Sequence, residues 1–351
     1  MGATLQLNCQ IFSKQTEPPL KNMRGTLLFL CALICSSCSI LAPIDRHQAS
    51  EQSTVYQPSD QKESALARLA PLFIVEDSSQ EFNKIGSPVA ITQELGPTSI
   101  AIDSDLPALY GEEQTFTTAK GTYINLIYRV HFSGVPFSLF PFNVTAGRGA
   151  GLLVILTLNS TGEPLLISLV HTCGCFLAFI PTSHLDPGAF PPGWSTTGQT
   201  VYGFSFPGLI DYSVGSIPEK NRLALFIRSS THRITDIRLA NEVDDALSYG
   251  KIVKLPLQPM SELEHLKYSG GELSFFETQW PRKGYVRNSL KPLEALLMGW
   301  WTLDPYIGQD KALGPREKTG VTFYTSLKLW DREKSNLGDF ASCLHYWGWG
   351  L

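Results

Sequence analysis

The sequence predicts an α+β fold: a mainly antiparallel β-sheet early in the chain, with amphipathic helices in the C-terminal part. Three observations lead there. Strand-like stretches of β-branched and aromatic residues crowd the first two thirds of the chain. Two C-terminal stretches instead place apolar residues at helical spacing. Strands grouped early and helices grouped late describe segregated rather than alternating elements. The 351 residues, 43% hydrophobic and 17% charged, suffice to bury a sizeable core. A net charge of −4 with no Lys/Arg-rich run gives no footprint for nucleic acid.

The chain opens on a targeting segment. Lys21 and Arg24 precede the apolar run Leu27 to Ile34, and small residues follow up to Cys38. A basic stretch, a short apolar stretch and small residues mark a secretory signal. The run is shorter than the ~20 residues a membrane helix needs. Met23 is an alternative start. The segment Cys35-Ser36-Ser37-Cys38 resembles the lipobox of bacterial lipoproteins, departing from it at Cys35, where Leu, Val or Ile is usual. The resemblance covers the signal alone. It implies lipidation of Cys38, anchorage to the membrane through that lipid, and, with Ser39 following, sorting to the inner leaflet of the outer membrane facing the periplasm. The expected organisation is therefore a signal over 1–37, a lipidated cysteine and disordered tether over 38–64, and one globular domain over 65–351. The tether is expected from its polar composition, with His47 solvated.

Ordered structure is expected from Ala65, where ALARLAPLFIV reads as a short helix or strand broken by Pro71. Gln114–Lys120 and Tyr123–Phe132 read as a hairpin about Gly121. On its second strand Ile124, Leu126, Tyr128, Val130 and Phe132 form an apolar face. Asn125, Arg129 and His131 form the other, expected to face solvent or else line a pocket. FSLFPF (137–142) reads as an aromatic loop. The glycine-rich 147–151 runs into the strand LLVILTL without the Lys-Ser/Thr of a phosphate loop, so it reads as a bulge or tight connection. Asn143 and Asn159 stand in glycosylation sequons, without meaning in a bacterial protein. Residues 181–208 form a long Pro/Gly-rich loop, expected as a cover that brings His184, Asp186 and Trp194 near the preceding strand. Leu223–Arg228 and Thr231–Ala240 read as an antiparallel pair, Ile252–Leu257 as a strand interrupted by Pro256, and Ser261–Tyr268 as one or two helical turns. Leu293, Leu296, Leu297 and Trp300 share one helix face, with Ser289 as cap and Pro292 in the first turn. Val321–Trp330 reads as a strand. A last helix near Leu337–Trp347 points Phe340, Cys343, Leu344 and Trp347 inward. Both aromatic stripes are expected in the core.

The chemically loaded stretch is Leu165–Cys175, LLISLVHTCGC. As a continuous strand it puts His171, Cys173 and Cys175 on one face, two residues apart each time. With the signal removed and Cys38 lipidated, Cys173, Cys175 and Cys343 remain, an odd number for an oxidising compartment. Three uses stay open. The first is structural: buried thiols or one disulfide, with Cys343 as one candidate partner. A Cys173–Cys175 bond would need the strand to bend, as Gly174 allows. The second is a Cu(I) or Zn(II) site of His171, Cys173 and Cys175, with His131 as a fourth ligand if its strand lies alongside. The third is a reactive cysteine whose pKa is lowered by His171, His131 or His184. No protease triad, glycosidase carboxylate pair or His-Glu-x-x-His segment is present, and the catalytic residues, if any, stay unknown. The functional expectation is an envelope lipoprotein with a structural or interaction role and no named protein partner. The alternatives are a metal-binding lipoprotein and an envelope enzyme.

Overall fold

The computed structural model describes residues 53–59, 64–92, 98–140, 142–212, 221–241 and 249–351. Cys38 and the signal lie outside them.

In chain order the strands are β1 (Thr54–Pro58), β2 (Leu72–Val75), β3 (Ser87–Ile91), β4 (Ser99–Asp103), β5 (Leu109–Thr118), β6 (Gly121–Val135), β7 (Gly147–Leu158), β8 (Pro164–His171), β9 (Leu177–Pro181), β10 (Gln199–Val201), β11 (Phe204–Phe206), β12 (Asn221–Ile227), β13 (Ile234–Asn241), β14 (Lys251–Leu255), β15 (Leu257–Pro259), β16 (Leu266–Tyr268) and β17 (Gly271–Leu273). The helices are α1 (Ala65–Arg68), α2 (Pro292–Thr302), α3 (Arg316–Thr319) and α4 (Phe340–Tyr346).

Two sheets carry the fold. One has the order β13-β12-β2-β1-β14, the other β15-β5-β6-β7-β8-β9. The second is an antiparallel meander from β5 to β9, and the hairpin expected about Gly121 opens it, with Thr118 opposite Gly121. The sheets pack face to face. Leu126, Tyr128, Val130, Phe132, Leu152, Val154, Ile167 and Leu169 of the meander meet Phe73, Val75, Leu223, Leu225, Ile234 and Ile237 of the other sheet. The opposite face of the meander is covered too. Ile127, Leu153, Ile155, Val170 and Phe179 pack under Phe323, Leu337, Phe340, Leu344 and Trp349 of the C-terminal segment. Strands covered on both faces have no reason to alternate, and LLVILTL and LLISLV do not.

The fold is therefore mostly β-sheet, not the α+β arrangement with amphipathic C-terminal helices. Among the described residues the helices span only four, eleven, four and seven residues. Glycines and prolines recur through the C-terminal segment at Pro305, Gly308, Gly314, Pro315 and Gly320. They cut it into turns that lie on the sheet as a cover. Val321–Trp330 is accordingly not a strand but part of that cover, touching Asn336 through one bridge at Tyr324. Helix α4 behaves as expected, burying Phe340, Cys343 and Leu344.

Helix α2 does not. Its apolar stripe faces outward, with Leu296 72% and Trp300 74% exposed, while Glu294 is 3% exposed. Ser289 does not cap it; Lys291 holds that position and makes no side-chain cap bond. The tether also needs correcting, because β1 falls inside it. Thr54–Pro58 sits between β2 and β14 with Val55 and Tyr56 buried. The order thus begins by Thr54 rather than Ala65. The polar neighbours of TVYQP hid a short strand that only its partners stabilise. Apart from Ser53, Ser59 and Ser64, the rest of the expected tether lies outside the described residues. No helix among the described residues is long and apolar enough to cross a membrane.

Candidate thiol–imidazole site

Strand β8 ends at His171, and β9 begins at Leu177. Between them the chain folds back, so His171, Cys173 and Cys175 do not continue one strand face. The turn is closed by the Gly174 amide donating to the His171 carbonyl at 2.7 Å, and by the His171 amide donating to the Phe176 carbonyl at 3.2 Å. Gly174 takes φ +81°, and a Cβ there would meet the Tyr324 carbonyl oxygen at 2.3 Å. Only glycine fits both demands.

This turn draws the cysteines together. Their Cα atoms are 5.4 Å apart, inside the range a disulfide spans, and their sulfurs are bonded. Cys343 takes no part. It is buried and free, with its thiol toward the Ser335 carbonyl at 3.7 Å, and burial pushes its pKa up to about 12.

His171 stands beside the pair. Its Nδ1 lies 3.9 Å from the Cys175 sulfur and its Nε2 3.1 Å from the His232 carbonyl oxygen. A carbonyl only accepts, so Nε2 carries the proton and Nδ1 turns its lone pair toward sulfur. Burial, with the charges of Lys291 and Arg233, lowers its pKa to about 3. One donor atom from each of His171, Cys173 and Cys175 lies within 4.8 Å of the others. Bonds of about 2.0–2.3 Å put two donors on one ion no more than about 4.6 Å apart, so the set would have to draw in slightly to share an ion. Its soft donor chemistry fits Cu(I) or Zn(II) once the sulfurs are thiolates. As bonded here they are not.

The other expected neighbours lie elsewhere. Directly opposed residues of antiparallel strands point to one side. Val130, Leu152 and His171 are so aligned, and His131 is aligned with Gly151. His131 therefore sits on the opposite face of the sheet from His171 and is not a fourth ligand. It accepts from Arg129 Nε at 2.9 Å, between the rings of Tyr110 and Phe275. Nor does the Asn125–Arg129–His131 row face solvent; all three are buried. His184 pairs with Glu163, Asp186 caps a short 3-10 turn, and Trp194 packs on Trp349. None of the three reaches the cysteines.

Residues unsuspected from sequence hold the turn instead. Tyr202, from the turn between β10 and β11, donates to the Cys175 carbonyl at 2.8 Å. Lys311 donates through Nζ to the Cys173 carbonyl at 2.7 Å, and its amide donates to the Thr172 carbonyl. Burial lowers the Lys311 pKa to about 8. Around it lies a buried charge set. Arg129 donates to the Lys311 carbonyl, Lys291 pairs with Asp310 at 3.4 Å, and Tyr324 donates to Asp304. With Glu294, three buried cations face three buried carboxylates. Glu294 is buried beside this set, where its charge acts on Lys311, while the apolar stripe of α2 turns out. No motif signals such a set, because its members come from four separate stretches of chain.

No family model matches the chain, and no curated protein matches it. Two solved structures resemble parts of it. One, described as "NLPPya in complex with mannosamine", is 13% identical, with 64% of this chain and 90% of that chain covered and a TM-score of 0.29. The other, described as "Toxin fold for microbial attack and plant defense", is also 13% identical, with 68% and 95% covered and a TM-score of 0.29. At that level neither bears on the fold or the activity of this chain.

Proposed function

We propose that the protein is a lipoprotein of the bacterial cell envelope, anchored through Cys38, whose β-domain carries a redox-gated thiolate–imidazole metal centre. The anchor rests on the basic, apolar and small-residue run that ends in Cys38, and on the lipobox resemblance, which favours the outer membrane's periplasmic face. The observation that supports the centre is the His171 ring, with Nε2 engaged by a carbonyl and Nδ1 facing the cysteine sulfurs. An outer hydrogen bond that fixes the tautomer is what a metal-ligating histidine needs.

The pair is a weak staple. Crosslinking residues two apart constrains the unfolded chain by only about 1.6 kcal/mol in the chain-entropy model, and the β8–β9 hydrogen bonds already close this turn. A dithiol reductant would convert the bond to two thiols and itself become a disulfide. Binding Cu(I) or Zn(II) would then release the two thiol protons.

The test is a melting series of reduced protein with Cu(I) and Zn(II). Wild type should gain roughly 2.7 kcal/mol at a hundredfold excess over Kd, Cys343→Ala should keep the gain, and Cys173→Ser should lose it. No response to either metal ends the metal reading. The bonded pair itself favours a second reading, a structural or interaction lipoprotein with a permanent disulfide, and that flat result would leave it standing.

A further inference from the structure

We infer that the end of the sandwich bearing helix α2 and the loop after β6 is a bilayer-docking face, which lies on the membrane holding the lipid anchor; this rests on the lipoprotein reading above. Three segments build the face. The loop after β6 exposes Phe137 and Phe140, the latter 95% exposed. Leu290 bridges to Arg148 at the start of β7, beside the Val135–Gly147 pair where that loop begins and ends. Helix α2 then presents Leu296 and Trp300. The Arg332 guanidinium donates to the Thr302 carbonyl at the end of α2, bringing exposed Trp330 alongside. Most of the large apolar side chains left exposed among the described residues belong to these segments. A monomer in water rarely keeps so much apolar surface together.

Its charge pattern selects a bilayer. Ser133 to Gly147 carries no charged residue, and the one charge in α2, Glu294, is buried. Exposed Arg148 and Lys328 stand at the rim. Indole and phenyl rings bounded by cations suit the interface between acyl chains and anionic headgroups.

The anchor arrives at the same end. Thr54, the first residue of β1, lies opposite Val75, and Val75 lies opposite Ile227. The β12–β13 turn beyond Ile227 carries His232, which stacks on Phe132 at 4.0 Å, just before β6 enters the loop. The residues from Cys38 to Ser53 span at most roughly 50 Å, so a lipid at Cys38 leaves this end within reach of the membrane.

The experiment takes the chain as processed by a bacterial host, mixed with phosphatidylethanolamine/phosphatidylglycerol vesicles whose acyl chains are brominated. Mass spectrometry and flotation report the anchor; tryptophan quenching reports the face. Expected are acyl chains on Cys38, flotation and quenching. Phe140→Asp/Leu296→Asp, which removes no tryptophan, should float and melt as wild type does but lose quenching at least threefold. Acylated, floating, unquenched protein overturns the docking face and leaves the lipoprotein reading intact. Unacylated protein that still floats and is quenched keeps the face and removes the lipoprotein reading. Self-association that shields these tryptophans from the vesicles also overturns the proposal.

Discussion

His171 Nδ1 faces the Cys175 sulfur at 3.9 Å while the same ring's Nε2 meets the His232 carbonyl at 3.1 Å. The imidazole is oriented before any ligand arrives. Replacing it by alanine should weaken Zn(II) binding to reduced protein at least tenfold, since even outer-shell changes cost that much. Competition with a chromophoric chelator measures this. Unchanged affinity would show that the imidazole is a bystander.

The cysteine pattern makes a second prediction. Alkylating unreduced protein in denaturant should label Cys343 but neither Cys173 nor Cys175, and prior reduction should label all three. In native protein Cys343 should stay unlabelled, being buried with a raised pKa. Peptide mass mapping reads each site.

Lys311→Met should destabilise the fold by about 3–5 kcal/mol, because it leaves three buried carboxylates facing two cations. It also removes the donor to the Cys173 carbonyl. Urea unfolding measures the loss. A neutral result would mean that the charge set contributes nothing net.

His131 predicts a pH dependence. Burial and the Arg129 charge hold its pKa well below 6.5, so the fold refuses a proton that the unfolded chain accepts. The unfolded state then binds more protons below pH 6.5. The stability that His131 contributes is complete above that pH and is lost as pH falls, with a slope approaching 1.4 kcal/mol per pH unit. His131→Gln keeps an acceptor for Arg129 and should flatten unfolding free energy between pH 6.5 and 4 by about one proton.

Gly174→Ala should cost at least about 1–3 kcal/mol, from the left-handed backbone and the clash with the Tyr324 carbonyl. If the turn governs the pair, air oxidation of Cys173 and Cys175 should slow in the same variant.

What the residues alone determined is local. The hairpin about Gly121, the β12–β13 pair, the break at Pro256, the inward face of α4 and the loading of His171, Cys173 and Cys175 were legible, because each follows from side-chain period or turn chemistry within a few residues. The tertiary structure decided the rest. It buried the Asn125–Arg129–His131 row, which alternation had left to face solvent or line a pocket, because the C-terminal cover lies on that face. It put His131 and His171 on opposite sides of one sheet, since register, not composition, assigns faces. It bent the cysteine row into a bonded turn at Gly174. Helix α2 shows the reason most plainly: its 3.6-residue period states that one face is apolar, but which way that face points was decided by tertiary packing, which buries Glu294 and leaves Leu296 and Trp300 exposed.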